Sequence, residues 1–69
     1  PLGPLPMNVN TAPVEALARL PGVSAEIARA LVESRQATGP FASVDDLSRI
    51  KCLDKDSLEK LRPYIKTRD

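Results

Sequence analysis

Sixty-nine residues suffice for one small domain, and a chain of this length buries only about 60% of the surface its unfolded form exposes. The composition is 42% apolar with Phe41 and Tyr64 as its only aromatic residues, so the core must be built from Leu, Val, Ile and Ala. Ten basic and nine acidic residues leave a formal charge of +1, and a chain without His and with Cys52 alone excludes His-based catalysis, an internal disulfide and most transition-metal ligand sets.

In chain order, Pro1, Pro4 and Pro6 crowd the first residues, and 1–7 is read as a disordered lead-in outside the domain. The domain proper is expected over 8–66. Asn10 or Thr11 offers a side-chain oxygen to cap a first helix, Pro13 suits an early helical position, and Val14, Leu17 and Leu20 form a one-sided stripe. Pro21-Gly22 ends that helix. Ser24 is a good N-cap for a second helix running to about Gln36, with Val23, Ile27, Ala30 and Leu31 facing inward. Gly39-Pro40 marks a joint, and Phe41 is expected to plug it. Ser43 and Asp46 have the spacing of a capping box, with Asp in place of the usual Glu. Val44, Leu47 and Ile50 form a third stripe. Asp54 then caps a last helix that buries Leu58 and Leu61 and stops near Pro63, leaving 67–69 as a frayed tail. No stretch alternates in strand fashion. The expected class is all-α, a compact set of four to five short helices with no sheet, and no apolar run approaches the roughly 20 residues of a membrane-spanning helix.

The chain is written twice. Shifted by thirty residues, Ala12 to Leu20 lies over Ala42 to Ile50, with Val23 over Leu53, Glu26 over Asp56 and Leu31 over Leu61. Repeat one spans about 10–37 and repeat two about 40–65, each a cap, a short helix, a tight turn and a second helix. Such a tandem pair implies a pseudo-twofold axis.

The first turn has chemistry of its own. Gly22 tolerates positive φ and lets a backbone come close to a ligand. The N–H groups of Gly22, Val23, Ser24 and Ala25 then gather with Pro21 at a helix N-terminus, where the dipole favours an anion such as a phosphate oxygen. Two sites of this kind, related by the pseudo-twofold, would straddle a minor groove. Contacts of that type position a protein on DNA without reading base identity.

Three motifs carry a family resemblance: Asn8-Val9-Asn10-Thr11-Ala12, Leu20-Pro21-Gly22-Val23-Ser24, and Gly39-Pro40-Phe41 followed by Val44-Asp45-Asp46-Leu47. In that order and spacing they resemble the ComEA-type helix-hairpin-helix module over about Asn8 to Ile65. The resemblance implies a tandem helix-hairpin-helix fold that binds double-stranded DNA without sequence preference. It would act either as a competence-type DNA receptor or as an accessory DNA-binding domain of a larger protein. For a receptor it implies the bacterial periplasm or cell surface; otherwise the cytoplasm is expected. Related modules in secretion pseudopilins and a photosystem subunit serve as scaffolds, which keeps a protein-interaction role open as the alternative.

Hairpin two departs from the family pattern. Where a glycine-rich turn is usual, this chain has Lys51-Cys52-Leu53-Asp54, and Cys52 lies over Gly22. A positive φ there would strain the Cys by roughly 1 kcal/mol or more. Asp54 places a carboxylate beside the would-be phosphate, while Lys51 and Lys55 restore positive charge. The hairpin is either a modified phosphate site or a structural mimic. In hairpin one, Ile27 stands where the family often has Lys, and Glu26 is acidic. The nearest bases are Arg19 and Arg29, with Arg35 farther along, and each is either a phosphate ligand or a solvated helix residue. The same choice applies to Lys60, Arg62, Lys66 and Arg68 near the C-terminus. Cys52 has three readings: a small buried or half-buried turn residue, a thiol of lowered pKa, or a partner in an intermolecular disulfide. Asp45-Asp46 are adjacent carboxylates that point apart on a helix and have no base or nucleophile beside them, so no enzyme activity, cofactor or metal is expected. The isolated domain is expected to be a monomer, without membrane contact through this segment.

Overall fold

The computed structural model describes residues 5–68; the expectations for 1–4 and for Asp69 lie outside the described residues. Its helical segments are α1 (Val14–Leu17), α2 (Ala25–Ala37), a 3-10 helix over Val44–Arg49, α3 (Lys55–Leu61) and a short 3-10 helix over Arg62–Tyr64. Two further segments, β1 (Met7–Asn8) and β2 (Ile65–Lys66), pair in parallel with Met7 opposite Ile65 and Asn8 opposite Lys66.

That ladder corrects the expectation of no sheet, and it corrects the placing of Met7 in the lead-in. Met7 is buried and Val9 is 1% exposed, while the Val9 N–H donates to the Lys66 carbonyl at 3.0 Å. Two-residue strands are too short to show an alternating pattern. They form here because the two ends of the domain meet and their backbone polar groups need partners. The start of the expected tail is engaged as well, since the Thr67 carbonyl accepts from Asn10 Nδ2 at 2.7 Å.

The thirty-residue repeat maps core onto core. Leu17 and Leu47, Leu20 and Ile50, Val23 and Leu53, Ala28 and Leu58, and Leu31 and Leu61 are all buried. Equivalent residues of both copies thus face one shared interior, and Phe41 lies between them at 1% exposure. Burying one such aliphatic side chain contributes about 1.5–3 kcal/mol, so the small core is held by many comparable contributions.

The copies differ in their helices. α2 has thirteen residues and α3 seven, and the counterpart of α1 is a 3-10 helix. Ser43 makes no side-chain cap there. Asp46 reaches past it and accepts from the Ala42 N–H at 2.8 Å, so the expected capping box is only half made and displaced by one residue.

The first cap is also corrected. Pro13 is the N-cap of α1, with no side-chain hydrogen bond, and the Asn10 carboxamide is turned elsewhere. Its Nδ2 donates to the Phe41 carbonyl at 3.0 Å, and its Oδ1 accepts from the Phe41 N–H at 2.8 Å. α2 closes at Gly39 (φ 107°), whose N–H donates to the Arg35 carbonyl at 3.1 Å. A glycine is favoured at this position past a helix end because a Cβ disfavours positive φ.

Candidate nucleic-acid interface

Hairpin one joins α1 to α2 through the turn Leu20-Pro21-Gly22-Val23. The Val23 N–H donates to the Leu20 carbonyl at 3.1 Å, and Gly22 has φ 76°. Proline followed by a residue of positive φ is the pattern of a type II turn. A Cβ built on Gly22 would meet nothing within 4 Å, so glycine is required there by the backbone conformation and not by crowding. Pro21, Gly22, Ser24, Ala25 and Glu26 are exposed, while Val23 is buried and anchors the turn to the core.

Ser24 caps α2 as its sequence predicts, its Oγ accepting from the Ile27 N–H at 3.2 Å. Together with the turn bond this decides which amides are available. Val23 N–H is consumed inside the turn and Ile27 N–H by the cap. The N–H groups of Gly22, Ser24, Ala25 and Glu26 find no acceptor among the described residues. The Val23 N–H, one of the expected donors, is thus taken internally, whereas the Glu26 N–H has no acceptor among the described residues. The amides left without one sit at the start of a thirteen-residue helix, where partial positive charge accumulates.

Arg19 and Arg29 are exposed and enter no ion pair among the described residues. Other arginines have internal roles that the sequence reading missed. Arg35 Nη1 donates to the carbonyls of Val9 (2.8 Å) and Ala12 (2.7 Å), tying α2 to the N-terminal segment. Arg49 Nε donates to Ser34 Oγ (2.8 Å) and its Nη2 to the Gly39 carbonyl (2.6 Å), with the guanidinium 4.2 Å from the Phe41 ring centroid. Arg62 pairs with Asp45 and Glu59, both at 2.7 Å. Half-burial beside several carbonyls separates Arg35 and Arg49 from solvated bases, but that is a tertiary property with no local sequence signal.

Hairpin two repeats the hydrogen bonds of hairpin one. The Leu53 N–H donates to the Ile50 carbonyl at 3.1 Å, Asp54 Oδ1 accepts from the Ser57 N–H at 2.8 Å, and the Leu58 N–H donates to the Asp54 carbonyl at 3.0 Å. Two features differ. Cys52 does not share the positive φ of Gly22, so the anticipated strain is absent and the turn is of the type I class. The cap is a carboxylate instead of a hydroxyl. Its bond from the Ser57 amide holds Asp54 below the usual carboxylate pKa, so it is anionic at neutral pH. Lys51, Cys52, Asp54 and Lys55 are exposed and Leu53 is buried. Exposure corrects the reading of Cys52 as a buried or half-buried turn residue.

An open cleft of about 430 Å³ lies beside this second turn, with Asp45, Asp54, Lys55 and Glu59 in its lining. Carboxylates outnumber bases there. Among the described residues no group of acidic or thiol side chains is arranged to hold a metal ion, and no helix is long and apolar enough to cross a membrane.

The family model described as the helix-hairpin-helix motif matches residues 6–66, both turns included. The chain belongs to the helix-hairpin-helix family. This helix-hairpin-helix domain is 30% identical over 59 residues to ComE operon protein 1 of Bacillus subtilis (strain 168), covering 86% of the chain and 29% of that protein. It is 39% identical over 56 residues to endonuclease/exonuclease/phosphatase family domain-containing protein 1 of Homo sapiens and of Mus musculus, covering 81% of the chain. The chain spans 10% of the length of those two relatives. The ComEA-like character read from the motifs is shown by the family match and the ComE operon relative together.

Proposed function

We propose that this domain holds DNA by its sugar-phosphate backbone, irrespective of sequence, as a competence-type receptor domain or as an accessory module of a larger protein. The observation that carries the reading is hairpin one. A positive-φ Gly22 leads into the N-terminus of α2, where the amides of Gly22, Ser24, Ala25 and Glu26 have no acceptor among the described residues, on an exposed surface with Arg19 and Arg29 nearby in sequence and in no ion pair among those residues. Amides of exposed residues left without an acceptor at a helix start suit a phosphate oxygen, and backbone contacts carry no base identity. Double-stranded DNA is the expected ligand, bound in the micromolar range or more weakly at physiological salt, as is usual for non-specific contacts.

A second reading, a protein-interaction or scaffold module, is favoured by the acidic surroundings of hairpin two, where Asp54 and Glu59 are both held ionised. The two are separated by fluorescence anisotropy of a random-sequence duplex titrated at two salt concentrations. Backbone binding weakens steeply with salt and ignores sequence. Gly22→Glu places a carboxylate among the donor amides and should abolish binding while helix content is retained. Equal binding by this variant, or none by the parent at low salt, would sink the DNA reading.

A further inference from the structure

Hairpins one and two share their hydrogen-bonding scaffold bond for bond, which isolates what differs between them. In a type II turn ψ at the second residue is about +120° and φ at the third about +80°; in a type I turn these are about −30° and −90°. Passing from one to the other turns the central peptide over, so the Cys52 N–H and the Gly22 N–H point to opposite sides of otherwise equivalent turns. The cap differs as well. At hairpin one the Ser24 hydroxyl is neutral, leaving the amide cluster for an external anion. At hairpin two the Asp54 carboxylate is already the anion at the start of α3. Asp45 and Glu59 add negative charge in the adjoining cleft, and Arg62 is tied to both.

We propose that the domain grips one nucleic-acid strand through hairpin one alone and therefore accepts single-stranded DNA nearly as well as duplex, because its second turn carries its own anion and an inverted peptide. The inference rests on the phosphate-binding reading of hairpin one. It differs from the symmetric two-strand grip that the pseudo-twofold repeat suggests. Two linked sites on two strands gain about 10²- to 10⁴-fold over one site, and that gain vanishes when one strand is removed. A single site loses only the difference in charge density between duplex and single strand, which is modest.

The test uses the ¹⁵N-labelled chain at low salt, titrated separately with a random-sequence duplex and with one of its strands. Amide shifts at Gly22, Ser24, Ala25 and Glu26 with both ligands, none at Cys52, Asp54, Lys55 and Asp56, and a duplex preference under about tenfold would support the one-strand grip. Shifts at both turns with duplex, and a preference of about a hundredfold or more, would overturn it while leaving DNA binding intact. No shift at either turn would overturn the DNA reading and the inference with it. A gain-of-function variant gives an independent arm: Cys52→Gly with Asp54→Ser copies hairpin one into hairpin two. It should raise duplex affinity about tenfold or more without a matching gain for the single strand. An unchanged duplex-to-single-strand ratio in a folded variant would count against the proposal.

Discussion

The Asn10 carboxamide is paired on both sides with the backbone of Phe41, donating to its carbonyl at 3.0 Å and accepting from its N–H at 2.8 Å. A third bond, from Nδ2 to the Thr67 carbonyl at 2.7 Å, draws the C-terminal segment into the same knot. One side chain thereby joins the start of the domain, the junction between the repeats and the end of the chain. It fixes the residue whose ring fills the junction.

Asn10→Ala removes all three bonds and leaves the Phe41 amide and carbonyl without this partner. At about 1 kcal/mol each, the loss should be about 3 kcal/mol, a large part of the roughly 3–10 kcal/mol expected of a domain this size. Urea denaturation measures it. A loss below about 0.5 kcal/mol would show that water replaces the carboxamide without penalty.

Arg49→Lys keeps the positive charge near Phe41 but cannot reproduce the fork that reaches Ser34 Oγ and the Gly39 carbonyl together. The expected cost is about 1–2 kcal/mol by the same measurement. DNA affinity should stay within about twofold, because the guanidinium faces the protein and its removal does not change the phosphate count. A large affinity loss in a stable variant would mean that Arg49 reaches the ligand.

The two turns should respond differently to the same substitution. Gly22→Ala puts a Cβ on a backbone at φ 76° and should cost about 1 kcal/mol or more, although the Cβ itself has room. Cys52→Ala, on an exposed residue of ordinary φ, should stay within about 0.5 kcal/mol. Equal costs at the two positions in thermal melts would contradict the assignment of distinct turn types.

Acid should weaken the domain through Asp54 and Glu59, the carboxylates at the start and on the surface of α3. Asp54 is lowered by the Ser57 amide bond and Glu59 by its bond from Arg62, so both bind their protons less readily folded than unfolded. Their contribution to stability is complete above the ordinary carboxylate pKa and fades as pH falls through the lower folded values. Melting temperature should therefore decline below about pH 4. Asp54→Asn keeps a capping oxygen without a titrating group and should make that decline shallower. An identical acid profile for the variant would remove Asp54 from this account.

The local features of the site were legible from the sequence. Pro21-Gly22, Ser24 and Asp54 act through bonds to residues within a few positions, so their chemistry and spacing announce a turn and two caps. Helix periodicity marked Leu17, Leu20, Val23, Leu31, Leu47, Ile50, Leu58 and Leu61 for the core, but it also turned Ile27 and Ala30 inward, where they are half-buried, and it passed over Ala28, which is fully buried. Tertiary structure alone decided the remainder. Met7 pairs with Ile65, Asn10 with Phe41 and Thr67, and Arg35 with Val9 and Ala12, each across a long stretch of chain. A carboxamide or guanidinium takes whichever carbonyl the folded chain brings near, and no spacing rule encodes that choice. The sign of φ at Cys52 belongs to the same class. The repeat set Cys52 over Gly22 and left its φ open; a turn closed by one hydrogen bond can take either peptide orientation, and a side chain with a Cβ selects the negative one.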